Sequence, residues 1–372
     1  IPTAAKMHPA IWNDDMPDWS LLGESARAGE PLVAVYAMFH RDVSLEDAKD
    51  VALRFEGDVR DSVEVINTLV IELPLSQAKA LAGHDAVQWV EPPLPPFSTM
   101  NDSNRVNTQA DDAQAAPYNL DGSGVVVMVY DGGTAASGHP DFGGRLSVHD
   151  FSGTIGHASH VAGTIGGDGG ASGGTYTGMA PGATLVSYGF EYNGSGIFLY
   201  SNPGDIEDDY SDAINNHGAV ISNNSIGTNT ATNGFPCSIT GDYGLTAATV
   251  DAVVRGSLGA PIRIVWANGN ERQTSNCGST YNTTAPPAGA KNHLTVGAMN
   301  SNDNSVTSFT SWGPVDDGRI KPDISAPGCQ SNADGGVTST DTGSNYFTAC
   351  GTSMASPTVA GCAALLLEDY RN

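Results

Sequence analysis

The chain is expected to be an α/β protein in two parts: a mostly parallel sheet with helices on both faces, preceded by a small α+β unit of order β-α-β-β-α-β and ferredoxin-like connectivity. Three observations predict this. From Gly124 onward, apolar runs of strand length alternate with helical stretches, the pattern of a parallel sheet whose crossovers are helices. Between Pro31 and Glu91 the apolar period switches between about two and about 3.6 residues in the split βαβ order. Between these regions lies Glu91-Pro-Pro-Leu-Pro-Pro96, whose prolines cannot continue a sheet and favour an exposed, extended segment.

Taken in order, residues 1–30 carry Pro2, Pro9 and Pro17 among several Asp and no sustained period, so an irregular leader with at most one short helical turn is expected. In the small domain, 31–100, residues 32–39 read as a strand, and 44–55 as a helix with Ser44 as N-cap, Asp47 in its first turn and Gly57 as its stop. Segments 58–66 and 69–73 read as paired strands joined near Asn67, followed by a short helix at 76–82 and a strand at 86–91. In the large domain, 101–372, strands are expected at 125–130, 185–190, 220–222, 262–266 and 294–297. Helices are expected at 158–165, 205–216, 245–256 and 353–370. Functional groups of such a sheet collect at the carboxyl ends of its strands.

Composition narrows the partners. A formal charge of −25 on 372 residues repels phosphate backbones and anionic lipid, so neither nucleic acid nor a membrane surface is an expected partner. The longest dense apolar stretch, 124–130, has the length of a buried strand, not the roughly 20 residues of a membrane span. The acidity serves solubility or supplies carboxylates for Ca²⁺; the acidic stretch 205–212 reads as the solvated first turn of a helix. Ile1 in place of Met points to a removed upstream segment and to export. Of five cysteines, Cys362 lies in an apolar run and reads as a buried free thiol, while Cys237, Cys277, Cys329 and Cys350 could form two disulfides in an oxidising compartment.

Four segments carry the residue types of nucleophilic catalysis. Asp131 ends the run 125–130 and precedes Gly132-Gly133, so it is either a turn former or a carboxylate presented at a strand end. Gly156-His-Ala-Ser-His-Val-Ala-Gly-Thr164 places His157 at the start of a helix. His157 and His160 could be read as metal ligands, but no third ligand of recognisable spacing follows, and His160 reads as structural. In Gly351-Thr-Ser-Met-Ala-Ser-Pro357, Ser353 stands at a helix N-terminus, either as a simple cap or where free N–H groups favour developing negative charge. In Ile264-Val-Trp-Ala-Asn-Gly-Asn-Glu271, Asn270 follows a strand, as a turn residue or as an amide able to donate to an oxyanion.

Together, in this order, the four segments resemble the subtilisin-like serine proteases, the subtilases. Gly178-Met-Ala-Pro-Gly-Ala183, Asn224-Ser-Ile-Gly227, Val296-Gly-Ala298 and the segment 309–328 are similar to landmarks of the same family, and the likeness covers about residues 101–370. The start at Asn101 and segment 309–328 look like the oxidatively stable, high-alkaline branch of bacilli, and residues 31–91 like a subtilase propeptide. The sequence departs from the family pattern at Ala158-Ser159 between the histidines and at Gly132 after the Asp. The family also continues for some tens of residues beyond the serine helix, so a chain stopping at Asn372 looks truncated.

The resemblance implies Ser353 as nucleophile, His157 as general base and then acid, and Asp131 as the group that orients the imidazole. It implies Asn270 and the Ser353 N–H as the oxyanion hole, with Ser225, Ile226 and Gly227 on one wall of the P1 pocket and Ala267, Asn268 and Gly269 on the other. It further implies protein or peptide substrates, no cofactor for the chemistry, structural Ca²⁺ with no ligand assigned, secretion, and the propeptide as an intramolecular inhibitor cut between Met100 and Asn101. The expected bridges are Cys237–Cys277 and Cys329–Cys350. A different class of function stays open, a catalytically silent binding module held closed by its own N-terminal domain.

Overall fold

The computed structural model describes residues 2–25, 30–93, 98–99, 105–190, 202–228, 230, 236–272, 277, 280–331 and 335–372. The chain divides into two units, one formed by Ile1–Pro96 with Tyr192–Asp208 and Gly244–Ala252, the other by the remaining residues.

In the first unit, a short helix α1 (Pro9–Trp12) is followed by β1 (Leu21–Glu24), β2 (Pro31–Phe39), α2 (Leu45–Arg54), β3 (Asp58–Val63), β4 (Thr68–Pro74), α3 (Leu75–Ala82) and β5 (Val87–Glu91). The expected β-α-β-β-α-β order is present from β2 to β5. Its four strands are arranged β5-β2-β4-β3, all antiparallel, and β1 adds at the other end of β2. Local chemistry sets the joints: the Ser44 hydroxyl accepts from Asp47 N at 3.1 Å to cap α2. Asn67, at φ 52°, turns the chain into β4 while its amide donates to the His40 and Val43 carbonyls.

The leader departs from its expected irregularity. Besides α1 and β1, it contributes Met7, Ile11 and Met16 to the core formed by Val33, Val35, Leu69, Ile71 and Leu73. Elements this short have no period to read and exist because tertiary burial holds them.

The first unit also contains two buried carboxylates that cap backbone. Glu207 accepts from Glu64 N at 2.9 Å and Val65 N at 3.3 Å, and burial pushes its carboxyl up to about 7. Glu91 accepts from Leu245 N at 2.6 Å and from Trp89 Nε1 at 2.8 Å, and burial pushes its carboxyl up to about 6 from 4.5. A raised folded-state pKa means that the fold favours the protonated acid. The stabilisation is therefore full below about pH 4.5 and lost as the pH rises through about 6. The difference is worth about 2 kcal/mol. Relative to Glu91→Gln, the parent should thus lose about that much stability between acid and neutral pH, read from denaturant midpoints. Parallel curves for the two proteins would contradict it.

In the second unit and the segments bordering it, the elements after β5 are β6 (Ser98–Thr99), α4 (Arg105–Thr108), α5 (Ala110–Gln114), β7 (Val126–Asp131), β8 (Leu146–Val148), α6 (Gly156–Gly166) and β9 (Thr184–Gly189). There follow α7 (Asn202–Asn215), β10 (Ile221–Asn224), β11 (Ile226–Gly227), α8 (Leu245–Val254), β12 (Arg263–Ala267), β13 (Leu294–Asn300) and β14 (Ile324–Cys329). A hairpin β15 (Val337–Thr340) and β16 (Tyr346–Ala349) precedes the long helix α9 (Thr352–Arg371).

Seven strands form one parallel sheet in the order β14-β13-β12-β10-β7-β9-β8. The chain leaves β7 to one side for β8 and β9 and crosses to the other for β10, so the β7–β10 boundary is where the winding reverses and where such folds open a crevice. Along β7, Val127 and Val129 join Ala158 and Val161 of α6 and Ala355 and Ala360 of α9 in one core. Tyr130, on the opposite face by the strand's alternation, meets Tyr210 of α7 with ring centroids 6.0 Å apart. The sheet thus has helices on both faces, as expected.

The five expected strands of this sheet are present with small shifts at their ends; β8, β14 and the β15–β16 hairpin were not foreseen. β8 is three residues long, and β14 contains Pro327 and Gly328, which is tolerable because β14 lies at the sheet edge. Disulfides join Cys237 to Cys277 and Cys329 to Cys350, with Cα separations of 5.3 and 4.7 Å, and Cys362 is a free thiol. Among the described residues, no helix is long and apolar enough to cross a membrane.

Candidate active site

Asp131 is the last residue of β7, fully buried, and its carboxylate accepts from His157 Nδ1 at 2.8 and 2.9 Å and from Gly132 N at 2.7 Å. His157 is the second residue of α6, carried there by a helix whose small residues pack closely. Because a carboxylate can only accept, Nδ1 carries a hydrogen, and in the neutral ring the lone pair is then on Nε2. That Nε2 is buried and has no partner among the described residues. A group so placed can take a proton from whatever is brought against it.

Ser353 is the second residue of α9, where its N–H has no intrahelical partner. Its hydroxyl donates to the Ser225 carbonyl at 2.8 Å, not to His157. In return the Ser225 hydroxyl donates to the Ser353 carbonyl at 2.8 Å. Asn223 holds this pair by donating to Ser225 Oγ at 2.9 Å while accepting from Ser356 Oγ at 2.7 Å. A turn of the Ser353 side chain away from Ser225 is therefore the step that would make a nucleophile–base contact, a tightening common to sites observed without substrate.

Asn270 follows β12, and its Oδ1 accepts from both Thr352 N and Thr352 Oγ1 at 3.0 Å. Since Thr352 N can only donate, the amide is oriented, with its N–H₂ as the donor end. Thr352 Oγ1 also accepts from Gly269 N at 3.2 Å. The role of Thr352 in setting Asn270 requires the two chain segments to be seen together.

Of the expected pocket residues, Ser225, Ile226 and Gly227 leave β10 beside β12, where Trp266 Nε1 donates to the Ile226 carbonyl at 2.6 Å. Gly227 and Gly269 face the same residue, Ala285: a Cβ on either would come within 3.5 and 2.9 Å of its methyl group. Ala285 was not singled out from the sequence. Ala267 is buried at the end of β12. Asn268 is turned inward, donating to the Ser311 carbonyl at 2.6 Å with its backbone bonded to Val296 and Ala285. His160 is fully buried, packs edge-on to Phe347 at 4.6 Å and bonds the Val337 carbonyl at 3.3 Å, and burial holds its imidazole well below the usual range. Met100 and Asn101 lie outside the described residues, but Ser98 and Thr99 pair antiparallel with Gly227 and Ile226.

An imidazole anchored by a buried carboxylate, a serine at a helix N-terminus and an oriented amide, at the carboxyl end of a parallel sheet, define a site of the serine hydrolase type. The subtilase family model matches residues 122–372, and the chain belongs to that family of serine proteases. It is 32% identical over 275 residues to serine protease AprX of Bacillus subtilis, covering 67% of this chain and 58% of AprX. To subtilisin E of the same organism it is 30% identical over 343 residues, covering 87% of this chain and 76% of that one. Fervidolysin from Fervidobacterium pennivorans, described as a keratinolytic enzyme related to subtilisin, shares the fold with a TM-score of 0.62 at 20% identity, over 94% of this chain and 56% of that one. These relatives do not single out the high-alkaline branch.

Proposed function

We propose that this chain is a secreted serine endopeptidase that hydrolyses peptide bonds through an acyl-enzyme on Ser353 and is made as a self-processing zymogen. The observation that carries the reading is the buried Asp131 carboxylate paired with His157, whose Nε2 has no partner among the described residues, on the helix beside α9. In this reading His157 takes the Ser353 proton as Oγ attacks the scissile carbonyl, Asp131 supports the imidazolium, and Asn270 with the Ser353 N–H receives the oxyanion. His157 then returns the proton to the leaving amine, and water repeats the cycle to free the acid. The chemistry draws on side chains and backbone alone; structural Ca²⁺ remains part of the proposal without assigned ligands. Walls built around Gly227, Gly269 and Ala285 carry no charge, which suits medium or large uncharged P1 side chains. The disulfides fit an oxidising, extracellular compartment.

The antiparallel pairing of β6 with β11 supports the propeptide reading, because a substrate that adds as a strand beside this segment would use the same backbone groups. A fluorophosphonate probe applied before and after removal of residues 1–100 tests the proposal. Covalent labelling at Ser353 that rises sharply after removal is the expected result. No labelling in either form would favour the silent binding module.

A further inference from the structure

The structure brings together three side chains that the proteolytic reading does not use. His149 directly follows the edge strand β8, Asp212 lies in the last turn of α7, and His217 follows that helix. Each offers one ligand atom, and these atoms all lie within 4.8 Å of one another. We propose that His149, Asp212 and His217 form a binding site for a divalent late first-row transition-metal ion of the Zn²⁺ class.

Donor type, spacing and support all point to this class of ion. Two imidazole nitrogens and one carboxylate oxygen suit Zn²⁺ and its neighbours and are a poor set for Ca²⁺, which takes oxygen ligands. His217 Nε2 lies 3.3 Å from Asp212 Oδ2, close to the edge of a tetrahedron with bonds of about 2.0 Å. The His149 and His217 rings have centroids 3.7 Å apart, which puts a nitrogen of each within reach of one ion.

The carboxylate is held as a ligand's should be. Tyr188 OH donates to Asp212 Oδ2 at 2.6 Å and Asn216 Nδ2 to Oδ1 at 2.6 Å, which fixes the orientation of the carboxylate. Ser147 Oγ is 2.7 Å from His149 Nε2, and Tyr188 stacks on the His149 ring at 5.7 Å. Such surrounding groups orient metal ligands and contribute to affinity. The side chains of His217 and Asp212 are 27% and 38% exposed, so an ion from solution can reach them. Three protein ligands leave a fourth position for water. An ion bound there would tie the three-residue edge strand β8 to the end of α7.

The test uses metal-stripped full-length protein carrying Ser353→Ala, which removes self-digestion and touches none of the three ligands. Calorimetric titration with ZnCl₂ should show one equivalent bound. His149→Gln and His217→Gln should each weaken it by roughly 100-fold or more, since even a group bonded to a ligand is worth about 10–100-fold. On the unsubstituted ligand set, Zn²⁺ should protect His149 and His217 together from carbethoxylation by diethyl pyrocarbonate, mapped by mass spectrometry, and Ca²⁺ should not. Zn²⁺ binding that is undiminished in both variants, protection by Ca²⁺ as good as by Zn²⁺, or no protection of either histidine would overturn the proposal.

Discussion

Replacing Ser353 with Ala should leave a folded chain that stays uncut and has lost peptidase activity by about 10⁶-fold in kcat. The size follows from the concerted role proposed for the residue: without Oγ there is no acyl-enzyme, and His157 has nothing to deprotonate. Folding should survive, because among the described residues the hydroxyl's hydrogen bond is to the Ser225 carbonyl, and the reciprocal bond from Ser225 Oγ to the Ser353 backbone is untouched. The same substitution reads out maturation. If the pairing of β6 with β11 is that of a substrate strand, as proposed, active protein should begin at Asn101 after cleavage behind Met100. Gel electrophoresis and N-terminal sequencing distinguish the outcomes. A Ser353→Ala protein that still matures when purified alone would assign the cut to another protease.

How much of this was legible in the sequence depended on whether a feature is local. Asp131, His157 and Ser353 each sit where a strand or helix end presents them, and the motifs around them could be read directly. What Ser353 bonds to could not be read, because Ser225 lies in the link between β10 and β11, distant in sequence, and the contact depends on one side-chain rotation. Thr352 was visible as a helix-start residue, but its grip on Asn270 needs the turn after β12 to meet the start of α9. The pattern behind β7 and β12 is a continuous apolar run, residues 126–130 and 264–267, which burial on both faces produces, whereas β10 buries Ser222, Asn223 and Asn224. β14 has no such run, since an edge strand can hold Pro327.

The acidic residues illustrate the same limit from the other side. Residues 205–212 were read as one solvated helical turn, yet the structure separates their fates along α7. Glu207 is buried and caps Glu64 and Val65, whereas Asp212 faces two histidines from outside the helix. Composition counts both as one negative charge each. Only the fold decides that one is held near neutrality by burial and the other is kept ionised by hydrogen bonds.

Asn270→Asp should cost about 10²–10³ in kcat with little change in KM, the signature of a donor that acts only on the oxyanion. The substitution is chosen for what it preserves. An aspartate has the shape of asparagine, so one oxygen can go on accepting from Thr352 N and Thr352 Oγ1 at the present 3.0 Å, and the turn after β12 stays anchored. What is lost is the N–H₂ donor, replaced by an oxygen that repels a developing oxyanion. Asn270→Ala removes the donor and the anchor together and should show an added loss of stability. Thr352→Ser keeps the hydroxyl and should retain most activity. Steady-state kinetics on a peptide amide decide the matter. An Asn270→Asp enzyme with kcat close to the parent's would remove Asn270 from the oxyanion hole and leave it as a residue that only positions the start of α9.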